Sequence, residues 1–234
     1  MPIGTITNVA AVLVGGVLGC LLGNRISGQW KATLTGFFGL AALTMGVVLI
    51  LRVKNLSPVV LALIVGGIIG EALHLEQRVN GRVVQVTHRL MGGMHADETY
   101  LLQVATVIVL FCFSGTGWYG ALYEGMTGDG SILITKAILD GVTACIFGAL
   151  LGKIVPWLGL PQLLIMLALF FLSSLVSPYI TPAMNADFSA MGGIITLAAG
   201  LRMTRIKTDI RIINLLPSLP LVFLFSALWA AFIG

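Results

Sequence analysis

Eight apolar runs, each about as long as a bilayer is thick, constrain this chain more than any motif in it. They cover roughly residues 5–23, 33–51, 57–75, 100–118, 132–152, 157–177, 188–204 and 213–233. About 20 residues of α-helix cross the hydrocarbon of a membrane, so each run is long enough to span. None alternates with a period of two, which excludes the strands of a membrane barrel, and a backbone in lipid must pair its own amides. The expected fold class is therefore all-α: a polytopic membrane bundle of about 7–8 transmembrane helices. Charge content agrees, since 9% of residues are charged against about 25% in a soluble domain.

No room remains for a separate soluble domain. The longest stretch without a spanning pattern, about Glu76 to Glu98, is far shorter than an independent domain, so residues 1–234 read as one integral-membrane domain. Within that stretch Val79, Val83, Val86 and Leu90 recur at helical spacing beside Arg78, Arg82, Gln85 and Arg89. This predicts an amphipathic cytoplasmic helix at 76–98 lying on the anionic leaflet. His74, His88 and His95, with Asp97 and Glu98, match no compact ligand spacing and read as solvated residues; no metal or cofactor is expected. Cys20, Cys112 and Cys145 lie inside apolar runs and read as small packing residues. The start, MPIGTITNVA, has no Lys or Arg before its apolar run and reads as a first transmembrane helix.

Lys and Arg set the orientation. With the N-terminus outside, cytoplasmic loops hold Arg25, Lys31, Arg78, Arg82, Arg89, Lys153, Arg202, Arg205, Lys207 and Arg211, and only Arg52 and Lys54 lie outside. The positive-inside rule thus favours eight spans with both termini out. The formal net charge of +4 is this loop bias, and no nucleic-acid partner is implied.

Ala11, Gly15, Gly19 and Gly23 form a small-residue stripe, and Lys136, Asp140, Ala144, Gly148 and Gly152 form a second. Such stripes admit another helix backbone at close range and invite a homodimer if they are not used within one bundle. GCLLGNRI (19–26) resembles GALLGKI (148–154), and Asn55-Leu-Ser-Pro echoes Asn214-Leu-Leu-Pro. Together these hint at an internal duplication. The first pair precludes a simple scheme, because it joins parallel segments whereas the second precedes antiparallel ones.

The candidate solute or ion site is the stretch Phe111–Asp140, which is rich in polar groups for so apolar a chain. Ser114, Gly115, Thr116 and Gly117 stand where a helix should be finishing; glycines there free backbone groups, tolerated at membrane depth only where they line a cavity. The alternative is an ordinary outer helix end, with Trp118, Tyr119 and Tyr123 as an aromatic belt and Glu124 to Gly130, including Asp129, as a solvated loop. Lys136 and Asp140 share one helical face and can neutralise each other, each costing about 2.5 to 3.5 kcal/mol alone near the bilayer centre. Lys136 could instead snorkel outward. A second cluster is SPYITPAMNADF, where Pro178 and Pro182 break the helix before Asn185 and Asp187; Asp187 could also N-cap the helix that follows. Asn8 reads as a packing hydrogen bond and Glu71 as an interfacial carboxylate.

No HExxH, GxSxG or GxxxxGK[ST] occurs, and no Ser has a His available within a span, so the chain is not expected to be an enzyme. The stretches GTITNVAAVLVGGVLGCLLG, VIVLFCFSGTGWYGALYEGMTGDGSILITKAILD, TPAMNADFSAMGGIITLAAGLR and INLLP resemble the YqgA/YdfK family of bacterial inner-membrane proteins over nearly the whole chain. The resemblance implies a multi-pass protein of the cytoplasmic membrane and a suspected transport role, and supplies no substrate or established site residues. The expected function is a secondary transporter for a small solute or ion, coupled to protons or sodium through Asp140 or Asp187. An ion channel and a non-transporting scaffold or accessory subunit are the alternatives. The lipid bilayer is its solvent and partner.

Overall fold

The computed structural model describes residues 1–22, 28–91, 100, 104, 107–108, 110–204, 206–207 and 209–232. Arg25, His95, Asp97, Glu98, Arg205 and part of the fourth apolar segment lie outside the described residues. Ten α-helices have both ends among those described: α1 (Ile3–Leu22), α2 (Gly28–Ile50), α3 (Leu56–Ala72), α4 (Leu75–Met91), α5 (Gly115–Thr127), α6 (Ser131–Leu151), α7 (Ile154–Trp157), α8 (Gly159–Val176), α9 (Pro182–Met203) and α10 (Ser218–Phe232), and the described residues of 100–112 are largely helical as well. Short 3-10 turns at Ser177–Tyr179 and Ile212–Leu215 precede α9 and α10, and no strand occurs among the described residues.

Among the described residues four helical stretches are long and apolar enough to cross a membrane: Ile3–Leu22, Ser131–Leu151, Ile154–Leu175 and Ile212–Phe232. Leu56–Ala72 and Leu75–Thr87 form a fifth if the pair, bent by 47°, is one span. The bend falls at His74, whose φ of 48° lies in the left-handed region. Beyond it α4 keeps part of the expected amphipathic pattern: Val79 and Val83 are half-buried and Arg78, Arg82, Gln85 and Arg89 exposed, but Val86 is exposed as well. The prolines of the sixth apolar segment break little. Pro156 lies in the single turn of α7, Pro161 in the first turn of α8 where no amide partner is needed, and Pro178 in the turn after it.

The chain forms two compact units, each assembled from separated stretches. The first comprises residues 1–33 and 77–174. In it α1 and α6 run parallel and in register: Gly4 meets Gly130, Gly15 meets Gly141, and Gly19 meets Cys145. A Cβ added at Gly15 or Gly19 would overlap a main-chain carbonyl of α6, so the two backbones touch directly. Ala11, Gly15 and Gly19 of the α1 stripe therefore face a partner helix of their own chain, while Gly23 lies outside the described residues; Gly19, the first residue of one echoing segment, packs on Ala149 of the other. Val12, Phe111, Ala144 and Val155 build the apolar core beside this seam.

The second unit comprises residues 34–76 and 175–234. Here α2 and α9 pack antiparallel through Gly39 and Gly46 against Gly200 and Gly193, and Gly66 and Gly70 of α3 lie against Ser218 and Asn214 at the head of α10. Since α3 and α10 are antiparallel, the two Asn-Leu-x-Pro motifs that precede them lie at opposite ends of one helix pair. Phe188 stacks on Phe223 with ring centroids 4.6 Å apart, tying α9 to α10.

Candidate functional site

The polar centre of the first unit gathers on one carboxylate oxygen. Lys136 and Asp140, a turn apart on α6, are 4% and 8% exposed and form a buried ion pair. The Asp140 Oδ2 that accepts from Lys136 Nζ also accepts from Asn8 Nδ2 at 3.0 Å and Gln162 Nε2 at 3.4 Å. Gln162 Nε2 donates in addition to Asn8 Oδ1 at 2.8 Å. Thus α1, α6 and α8 each place one or two polar side chains on a single point. Lys136 does not turn out toward an interface, because its ammonium has a carboxylate within reach inside the bundle. Gln162 is fully buried, and its Oε1 has no partner among the described residues. Rotating the amide would set oxygen against the oxygens of Asp140 and Asn8, so the stated orientation is the favourable one.

Glu124 is fully enclosed, at 1% exposure, and not in a solvated loop. Helix α5 continues past it to Thr127 and closes on Gly128 in the left-handed conformation, which turns Glu124 inward. Its Oε1 accepts the Gly4 amide at 2.6 Å, and its Oε2 accepts the Thr5 amide at 3.0 Å and the Thr5 hydroxyl at 2.9 Å. The first turn of α1 has amides with no intrahelical acceptor, and a carboxylate there also meets the positive end of the helix dipole. Glu124 thus caps a spanning helix from elsewhere in the chain. Tyr119 and Tyr123 are buried too, so they form no belt at an interface.

The helix break expected at Ser114–Gly117 exists. Ser114 is the N-cap of α5, its Oγ accepting from the Gly117 amide, and Trp118 Nε1 reaches back to the Cys112 carbonyl at 2.9 Å. Gly117 brings the start of α5 close to Lys136: an added Cβ would lie 3.3 Å from Lys136 Cε. Thr116 is buried, and Gly115 is the first residue of α5. Asp129 is exposed; its Oδ1 accepts the Ser131 amide at 2.9 Å and so shapes the turn into α6.

In the second unit Asp187 does not N-cap its own helix. Thr181 does that, accepting from the Met184 amide at 3.2 Å, because Pro182 starts α9 a turn earlier than the apolar pattern suggests. Asp187, fully buried inside α9, accepts instead the main-chain amides of Lys54 and Asn55 and the Ser226 hydroxyl. Asn185 is half-buried and its Oδ1 is unpartnered. Glu71 pairs with Arg211 and with Asn214 Nδ2 at 2.7 Å, while buried Glu76 accepts from Arg202 at 3.0 Å and from the Ile213 amide at 3.1 Å. The second Asn-Leu-x-Pro motif therefore sits in a carboxylate and arginine network, as the first sits on Asp187.

Sequence reasoning missed Gln162, Thr5, Glu76 and Ser226. Gln162 carried a signal, being the single amide of an otherwise apolar run. Thr5 and Ser226 carried none, since small hydroxyls are common in packed apolar helices.

Apolar helices of spanning length, glycine seams and a buried ion pair define a helical membrane protein with a polar centre. The chain belongs to the family described as "Protein of unknown function (DUF554)", whose model matches residues 3–227. It is 45% identical to the uncharacterised protein YqgA of Escherichia coli (strain K12) over 233 residues, 99% of each chain. It is 25% identical to the uncharacterised membrane protein YdfK of Bacillus subtilis (strain 168) over 220 residues, 92% of each. No solved structure matches it.

Proposed function

We propose that the protein is a multi-pass secondary transporter of the bacterial cytoplasmic membrane, with seven or eight spans and its N-terminus outside. It moves a small solute or ion and is coupled to protons or sodium. The observation that carries this reading is the ion pair Lys136–Asp140 held by Asn8 and Gln162 inside the bundle. Apolar side chains would pack such a position at no loss of stability, so paired charges there favour a working role over a structural one. Asp140 is the residue on which coupling would turn, and the broken segment Ser114–Gly117 beside Lys136 offers backbone and hydroxyl ligands to a solute. No hydrolytic or group-transfer activity is part of the proposal. A second copy could help enclose the path, using surfaces other than the α1 stripe.

Uptake into proteoliposomes tests it. Accumulation driven by a proton or sodium gradient, and lost in Asp140→Asn, is the expected result. Uptake that ignores both gradients and persists in Asp140→Asn and Asp187→Asn refutes coupling. The engagement of Glu124 and Asp187 in helix capping favours one other reading, a membrane scaffold whose polar groups only pack. A stoichiometric partner on purification, with no solute raising thermal stability across a broad library, would support that reading instead.

A further inference from the structure

One acceptor in the polar centre of the first unit is reached by no donor among the described residues. Gln162 Oε1 is fully buried and unpartnered, although the same amide's nitrogen serves both Asn8 and Asp140. A buried oxygen without a donor forgoes a bond it would have in water, so it favours a bound cation or donor beside it. Asn8 and Asp140, the side chains bonded to the nitrogen of the same amide, carry further oxygens of this kind. Oxygens of amides and carboxylates are hard donors, suited to alkali and alkaline-earth ions.

Charge selects between those ions. Lys136 and Asp140 cancel in the ion-paired state, and withdrawing the lysine leaves one negative charge, which a monovalent ion neutralises and a divalent ion would overcompensate. The lysine is placed to withdraw. It lies in the second turn of α6 on a long flexible stem, so withdrawal would carry its ammonium toward the head of that helix. A bare buried carboxylate is costly, so the ammonium leaves only as another cation arrives.

We propose that Asp140, Gln162 and Asn8 form a monovalent-cation site, with sodium as its ligand and Lys136 as a built-in competitor for the same carboxylate oxygen. The use of this site in coupling rests on the transporter reading above; the binding itself does not.

The experiment measures binding on the full-length protein in detergent, by retention of radioactive sodium and by thermal unfolding in sodium chloride against choline chloride at equal ionic strength. Sodium should be retained, displaced by lithium more than by choline, and should raise the unfolding temperature where choline does not. Lys136→Gln should tighten sodium binding by about tenfold, because the competing ammonium no longer reduces the competent fraction. Gln162→Met and Asp140→Asn should lose the sodium-specific effect. Equal behaviour in sodium and choline for both wild type and Lys136→Gln overturns the site, as does undiminished sodium binding in Gln162→Met. Sodium binding without gradient-driven uptake leaves the site standing and refutes the transporter; uptake without sodium binding does the reverse.

Discussion

Asp187 receives the main-chain N–H of Asn55 at 2.7 Å, so a carboxylate in the second turn of α9 finishes the backbone that leads into α3. Glu124 does the same for Gly4 at 2.6 Å at the head of α1. Asn55, the N-cap of α3, makes no side-chain cap bond of its own, and water is scarce around buried helix ends. Each compact unit thus anchors a spanning helix with an acid borrowed from far along the chain.

Truncating these acids should cost stability before it costs chemistry. Asp187→Ala and Glu124→Ala each leave two main-chain amides without acceptors, and each should destabilise by about 1–3 kcal/mol. Asp187→Asn and Glu124→Gln, which keep one acceptor oxygen, should lose less. Unfolding in mixed micelles with rising dodecyl sulfate would measure the order, and equal losses in alanine and amide variants would contradict the capping role.

The α1–α6 seam predicts a sharp contrast between glycines. Gly15→Leu places a side chain into the carbonyl of Gly141 and should prevent the pair from closing, with loss of folded yield. Gly36→Ala meets nothing within 4 Å and should be neutral or stabilising by up to about 1 kcal/mol through helix propensity. Size-exclusion profiles and thermal melts of the two variants separate these outcomes.

The buried ion pair should show strong coupling in a double-mutant cycle. Lys136→Met or Asp140→Leu alone strands one charge in the bundle and should cost about 3–5 kcal/mol, while the double variant should lose less than either single change. Additive losses would mean that the two charges do not compensate one another.

The bend between α3 and α4 turns on a single residue. His74 is held at φ 48°, a conformation costing a non-glycine residue about 1–2 kcal/mol. His74→Gly should therefore stabilise the protein slightly, and His74→Val should destabilise it by more than His74→Gly gains. Identical melting temperatures for the three proteins would argue against a strained turn.

Much of this architecture is legible in the chain. The all-helical secondary structure, the charged face of α4 and the shared face of Lys136 and Asp140 follow from local period and apolar length, which need no knowledge of neighbours. The placement of Glu124 was not legible, since a glycine-flanked glutamate beside tyrosines looks the same in a solvated loop and in a buried cap. Asp187 was misplaced for a related reason: the start of α9 is set by Thr181 and Pro182, and the acid that seemed to cap that helix lies inside it.

What the sequence by itself determined is the solvent and the secondary structure. Runs of about 20 apolar residues admit few environments, and a backbone in lipid admits only a helix or a closed barrel. What only the tertiary structure decided is the company each polar group keeps. Asn8, Asp140 and Gln162 are scattered over more than 150 residues, and no local period relates them. Close approach of the glycine-lined backbones of α1 and α6 brings Asn8 to Asp140, with Gln162 of α8 completing the group, because a buried polar side chain is stable only where others meet it.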